Sequence, residues 1–266
     1  MNQFIEKLNR AVQKNRSYLC VGLDTDYNKL MFKSHGIAGS IVRFNRRIID
    51  VTNDLVCCYK INSAFYEAYG VQGIEALKRT IDHTKDIPVI LDFKRSDIGS
   101  SARLYTQFGF DYLKADALTV IPYMGIDTID IFREFKDRFV FVVAATSNPG
   151  SKDFQMFGNK NPLYLQVMKK CRSTDRFKNT GYVVGATFPA KIKQLREKGF
   201  NELFLIPGIG AQKGDINKSI RYAFLNKGRA IFNVSRMIIY QKEKKSYFKD
   251  VRQKALEYSG LFRLIK

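Results

Sequence analysis

Pro88-Val89-Ile90-Leu91-Asp92-Phe93-Lys94-Arg95-Ser96-Asp97-Ile98-Gly99 opens as a short apolar run and ends in charge. The run is rich in β-branched residues and has the length of a buried parallel strand. Side chains alternate faces along a strand, so Asp92 and Lys94 are expected on one side, their Cα atoms about 6–7 Å apart. An acid and a base at the end of a buried strand are costly to desolvate unless they pair. Alone, D-x-K reads as a salt bridge closing a strand end. The rest of the chain changes that reading.

Seven more short apolar runs accompany this one: Tyr18–Leu23, Leu55–Ile61, Ala117–Ile121, Phe139–Ala145, Tyr182–Ala186, Leu203–Ile206 and Ala230–Val234. Helical patterning lies between them, for example over Ile41–Val51, Ile74–His83, Ile126–Phe135, Leu163–Cys171 and Ala190–Lys198. Strand then helix, repeated eight times in 266 residues, predicts an α/β fold of the (β/α)8 TIM-barrel type. A doubly wound open sheet would more naturally carry a glycine-rich dinucleotide turn after the first strand, and Leu23-Asp24-Thr25-Asp26 is not one. No Pro/Gly/Ser linker or low-complexity tract interrupts the chain, so residues 1–266 are expected to form one domain. It begins with an amphipathic helix that sets Phe4, Ile5, Leu8 and Val12 on one side.

Polar residues gather at the carboxyl ends of these runs. Asp24 follows the first, Lys60 and Asn62 end the second, and Asp92 and Lys94 end the third. The fifth leads into Thr146-Ser147-Asn148-Pro149-Gly150, the sixth into Thr187, and the eighth into Ser235-Arg236. In a barrel these ends converge on one mouth, where catalytic groups sit. The seventh run gives Pro207-Gly208-Ile209-Gly210-Ala211-Gln212-Lys213-Gly214-Asp215. Gly208, Gly210 and Gly214 would let backbone N–H groups approach an oxyanion, a short helix is expected from about Asp215, and Arg236 offers a fork of donors to the same place.

The totals bound the remaining possibilities. Forty-five per cent hydrophobic residues supply ample core, and no apolar run is long enough to span a membrane. The N-terminal stretch lacks the apolar core and cleavage site of a secretory signal, so a cytoplasmic location is expected. Cys20, Cys57, Cys58 and Cys171 form no C-x-x-C pair and read as reduced core thiols, with Cys57 and Cys58 facing opposite ways on their strand. His35 and His83 lack ligand-like spacing, so no histidine-based zinc site is expected. Forty-five Lys and Arg against 25 Asp and Glu give a net charge of +20. Attraction of a small anionic substrate is one explanation, nucleic-acid binding another and a generally basic proteome a third. No RNA- or DNA-binding signature accompanies the charge, so nucleic acid is not favoured as a partner.

Leu91-Asp92-Phe93-Lys94-Arg95-Ser96-Asp97-Ile98-Gly99 resembles the D-x-K-x-x-D-I signature of the orotidine 5′-phosphate decarboxylase family. Four further landmarks match in order: Lys60 to Glu67, Ala145 to Gly150, Pro207 to Gln212 and Asn233 to Arg236. The resemblance spans essentially the whole chain. It implies decarboxylation of orotidine 5′-monophosphate (OMP) to UMP in pyrimidine synthesis, by a homodimeric barrel without metal or organic cofactor. Carried over by position, Lys60, Asp92, Lys94 and Asp97 form an alternating charged network, with Asp97 reaching into the partner's site. Asp24 and Asn62 correspond to ribose contacts, Ser147 to a pyrimidine contact, and Gln212 with Arg236 to the phosphate grip. Gly208 and Gly210 belong to the phosphate loop, and Pro207 and Ser101 fall among the substrate contacts. Ile98 matches an apolar contact beside the departing carboxylate.

Two departures stand out: Ser101 replaces the usual threonine but keeps a hydroxyl, and Lys60-Ile61-Asn62 replaces K-P-N. Loss of CO2 from C6 leaves an in-plane carbanion that the ring cannot delocalise. An ammonium held at that atom would both stabilise it and supply the proton, a role that falls to Lys94. Two other readings stay open. A Mg2+-dependent sugar-phosphate decarboxylase shares D-x-K-x-x-D, but needs an extra acidic ligand where Lys60 and Asn62 stand. A non-catalytic, RNA-binding barrel would rest on the net charge alone.

Overall fold

Eight parallel strands close on themselves in chain order in the computed structural model, which describes residues 2–158, 160–186, 189–208 and 216–263. The strands are β1 (Leu19–Gly22), β2 (Cys58–Asn62), β3 (Val89–Arg95), β4 (Ala117–Val120), β5 (Phe139–Ala145), β6 (Thr180–Val184), β7 (Leu203–Pro207) and β8 (Arg229–Val234). The expected α/β barrel is therefore present. The helices before β4 are α1 (Gln3–Asn15), α2 (Gly36–Thr52), α3 (Ala64–Glu67), α4 (Gly70–His83) and α5 (Gly99–Gln107). After it come α6 (Ile126–Arg133), α7 (Ser151–Phe154), α8 (Leu163–Thr174), α9 (Pro189–Glu197), α10 (Ile216–Ala223), α11 (Arg236–Ile239) and α12 (Tyr247–Leu261). Asp215, where a helix was expected to start, lies outside the described residues, and α10 begins at the next position.

Strand alternation sorts the core into two layers. Inward positions Cys20, Cys58, Ile90, Ala117, Phe141, Val183, Leu205 and Ile231 pack together inside the barrel. The opposite faces pack beneath the helices, for example Tyr59, Leu91, Leu118 and Phe204. One inward step further along the strands, β2 presents Lys60, β3 presents Asp92 and β4 presents Thr119, all buried. Parallel pairing fixes the neighbours of the two charges, with Gly22 opposite Lys60 and Asn62 opposite Asp92. An apolar plug thus ends in a polar layer at the carboxyl end of the sheet, the mouth of such barrels.

The amino end is closed by α1. Phe4, Ile5, Leu8 and Val12 join the interior cluster, and the Phe4 ring lies 5.0 Å from that of Phe139. Asn2 caps the helix by accepting from the Ile5 amide at 3.3 Å and donates to the Lys136 and Arg138 carbonyls at 2.7 Å each. Lys7 pairs with Asp116 at 2.6 Å, and the other Asp116 oxygen accepts the Val89 amide at 2.9 Å. The floor is therefore pinned to β3, β4 and β5.

All four cysteines are buried and free. The expected opposition of Cys57 and Cys58 is not what the fold produces. Because β2 starts at Cys58, Cys57 escapes the alternation, and both enter the interior cluster with their sulfurs 3.8 Å apart. The third strand runs past its apolar part through Asp92 and Lys94 to Arg95, because its charges find partners.

Arg196 on α9 holds the far side together. Its buried guanidinium stacks 3.6 Å from the Phe204 ring centroid and donates to the carbonyls of Ala223 (2.8 Å), Glu202 (3.0 Å), Arg229 (2.7 Å) and Phe200. These carbonyls belong to the approaches of β7 and β8, the strands that carry the expected phosphate grip. Arg196→Met keeps the stem volume but orphans four buried acceptors. Urea denaturation should show a loss of about 3 kcal/mol or more. A loss under about 1 kcal/mol would mean that water satisfies those carbonyls.

Candidate active site

Asp92 is the hub of the mouth. Its Oδ2 accepts from Lys60 Nζ at 3.1 Å and its Oδ1 from Lys94 Nζ at 2.6 Å. Lys60 also reaches Asp24 Oδ1 at 3.2 Å, and that oxygen takes the Asn62 amide at 3.2 Å. Charges therefore alternate in the order Asp24, Lys60, Asp92, Lys94 across the ends of β1, β2 and β3. Burial by itself would push the Asp92 carboxyl up and pull the Lys60 ammonium down. Attraction outweighs burial in both cases: Lys60 and Lys94 hold Asp92 well below the usual carboxylate range, and Asp24 and Asp92 hold Lys60 above the usual lysine value. Both groups stay ionised.

Lys94 meets Asp92 by a route that simple alternation does not describe. Its φ is +47°, in the left-handed region, and the β3–β4 register breaks between Leu91 and Arg95. Such a backbone costs about 1–2 kcal/mol for a non-glycine residue and clusters at functional sites. The Lys94 amide donates to Thr119 Oγ1 at 3.1 Å, and the same hydroxyl donates to Asp92 Oδ1 at 2.9 Å. The Lys94 side chain remains 42% exposed and so faces the open mouth. Arg95 anchors the next residue, pairing with Glu67 at 2.6 Å and lying over the rings of Phe93 and Tyr105.

Asp97 does not join this network within the chain. Its Oδ1 accepts the Ile98 amide at 2.8 Å, and it makes no ion pair among the described residues. Ile98 is 59% exposed and Ser101 is exposed on the first turn of α5. Across the mouth, Ser147 follows β5, and a methyl group built on Gly208 would lie 3.7 Å from its Oγ. Gly208 has φ +91°, so a side chain there would be strained. Pro207 ends β7 opposite Asn233 of β8. Arg236 opens α11, exposed, with its guanidinium making no hydrogen bond or ion pair among the described residues. Gly210, Gln212, Gly214 and Thr187 lie outside the described residues.

Three supporting residues escaped the sequence reading. Thr119 is the first; alternation along Ala117-Leu118-Thr119 was the available signal. Tyr240 is the second: its hydroxyl accepts the Asp26 amide at 2.7 Å and donates to the Asp24 carbonyl at 3.3 Å, holding the turn after β1. Gln155 is the third, clamping Thr146 through its amide and its hydroxyl at 2.8 Å each and so bracing the turn that carries Ser147. No short-range pattern announces either of the last two. Two surface grooves of about 660 and 680 Å³ share Arg43 and Arg47 of α2 but none of the residues of the mouth.

A family model described as orotidine 5′-phosphate decarboxylase / HUMPS matches residues 17–251. The orotidine 5′-phosphate decarboxylase of Herpetosiphon aurantiacus is 42% identical over 256 residues, covering 95% of each chain. That of Dehalococcoides mccartyi is 43% identical over 247 residues, 90% of each. Among solved structures, Leishmania donovani OMP decarboxylase superposes with a TM-score of 0.82 at 32% identity, over 97% of this chain and 99% of that one.

The paired charges set a pH dependence. Asp92 is held below its ordinary value of 3.8, so its stabilisation is full above that pH and is lost as pH falls through the lower folded-state value. Lys60 is held above its ordinary 10.5, so its share is full below that pH and is lost at higher alkalinity. The stability advantage of the wild type over Asp92→Asn should therefore be flat from about pH 5 to 9 and shrink below 3.8. Denaturant midpoints of the two proteins across this range measure it. A gap that persists into strong acid would contradict the pairing.

Proposed function

The chain belongs to the orotidine 5′-phosphate decarboxylase / HUMPS family, and from that premise we propose that its interleaved charges at the barrel mouth carry the decarboxylation. It is a carboxy-lyase of pyrimidine biosynthesis that converts OMP to UMP and CO2. The observation that carries the mechanistic reading is the position of Lys94, an ammonium salt-bridged to Asp92 yet open to the mouth. Departure of CO2 leaves an electron pair at C6. The Lys94 ammonium lies against that carbon, stabilises the charge as it develops and then delivers its proton there. Lys60 and Asp92 keep the network ionised while the site excludes water. Asp92 lies beside the substrate carboxylate.

The remaining assignments follow the sequence reading. Asp24 and Asn62 hold the ribose hydroxyls, Ser147 faces the pyrimidine, Ile98 borders the departing carboxylate and Ser101 is a substrate contact. Pro207 and Gly208 lead into the phosphate loop with Gly210 and Gln212, and Arg236 grips the phosphate opposite them. An exposed arginine without a partner among the described residues is suited to a phosphate. Gripping a group so far from C6 would supply binding energy to close the site.

The active unit is a homodimer in which each chain lends Asp97 to its neighbour. Two features support this reading. Asp97 has no cationic partner among the described residues, and Ile98 and Leu104 at and within α5, with Tyr123 and Met124 after β4, are exposed apolar side chains suited to burial. We read residues 1–266 as one domain working in the cytoplasm.

Loss of OMP absorbance tests the reaction with chelator-treated protein, which should retain full turnover. Lys94→Ala should lose about a thousandfold or more in kcat while remaining folded. Near-normal activity in that variant would remove the mechanism. Mixing Lys94→Ala with Asp97→Ala chains rebuilds one intact site in each heterodimer. Random reassociation should therefore recover about a quarter of wild-type activity. No recovery, with heterodimers demonstrated, would refute sharing.

A further inference from the structure

Thr119 occupies the last inward position of β4, fully buried, two residues beyond Ala117 of the apolar plug. Packing alone does not require a hydroxyl there, since valine has the same shape. What the hydroxyl does is fixed by its two partners. The Lys94 amide, at 3.1 Å, can only donate, so the threonine proton points to Asp92 Oδ1 at 2.9 Å. One side chain thus holds both halves of the reacting pair: the carboxylate that orients the ammonium, and the backbone from which that ammonium projects.

Both halves need holding. A carboxylate turns over a broad range about its last torsion. Of the two ammoniums bonded to Asp92, Lys60 approaches Oδ2, while Lys94 on Oδ1 is the half-exposed one. Thr119 reaches Oδ1 from the neighbouring strand, on a short and fully buried side chain. The Lys94 amide lies where the β3–β4 ladder is interrupted, so the sheet does not supply its acceptor. Left-handed backbone at a non-glycine residue persists only where its surroundings enforce it.

We propose that Thr119 is a positioning residue of the decarboxylation site: its hydroxyl sets the plane of the Asp92 carboxylate and the left-handed turn at Lys94, and so aims the Lys94 ammonium at C6. It does not touch the substrate. The inference rests on the role given to Lys94 above.

Thr119→Val keeps the shape and deletes the hydroxyl. Its kcat on OMP should fall about 10- to 100-fold, while the Kd for UMP, held through ribose and phosphate, changes less than about threefold. Thr119→Ser should recover kcat to within about threefold of wild type. Three results would overturn the proposal: a folded valine variant within about twofold of wild-type kcat, UMP affinity lost in proportion to kcat, or no recovery with serine. Should valine not fold, Thr119→Ala replaces it; failure of both with serine intact would make the hydroxyl purely structural and equally overturn it. Failure of the wild type to consume OMP, or an active Lys94→Ala protein, would instead sink the reading of the site itself.

Discussion

One carboxylate between two ammoniums is the constraint on which the mouth depends. Lys60 is almost wholly enclosed, and an unpaired ammonium there would shed its proton rather than stay charged. Asp92 keeps it charged and, with its other oxygen, holds the lysine that faces the opening. Neither function survives without strands that fix the distances. Asp24 comes from the turn after β1, Lys60 from β2, Asp92 and Lys94 from β3 and Thr119 from β4, so four consecutive strands must be in register before the network exists. The apolar plug below supplies that register and keeps water away from the buried end of the charges.

Strain is concentrated where the network turns outward. The barrel accepts an interrupted ladder and a left-handed lysine at one place, and surrounds it with compensations: the Thr119 hydroxyl, the Arg95–Glu67 pair and two aromatic faces over Arg95. By contrast, the opposite wall, built from β7 and β8, is held by a buried guanidinium whose hydrogen bonds go to carbonyls. The two walls thus use different devices. The first keeps charges poised, and the second ties down the starts of the two strands.

Much of this was legible in the residues, for identifiable reasons. Phe139–Ala145 is uniformly apolar and bounded by polar turns, so its limits agree with the strand. Charged residues normally stop a buried strand; in β3 they pair and the strand continues to Arg95. Helix α12 carries a weak apolar stripe and was not singled out. Lys60, Asp92 and Lys94 were recognisable because acids and bases at matching strand ends are costly without a purpose. The left-handed turn at Lys94 left no trace, since glycine or asparagine is the usual marker of such a conformation and neither occupies the position. Tyr240 and Gln155 bond to backbone through loop geometry that emerges only after folding.

Closure of the barrel joins the two ends of the chain. β1 hydrogen-bonds to β8, and Ser17 bridges to Arg263 beside a bond from the Tyr18 amide to the Phe262 carbonyl. During synthesis the first strand therefore leaves the ribosome more than two hundred residues ahead of its final neighbour. Until that neighbour arrives, the nascent sheet carries two bare edges able to zip onto other chains. Early docking of the amphipathic N-terminal helix beneath the growing sheet would shield part of that surface, giving the floor of the barrel a role in biogenesis as well as in the finished enzyme.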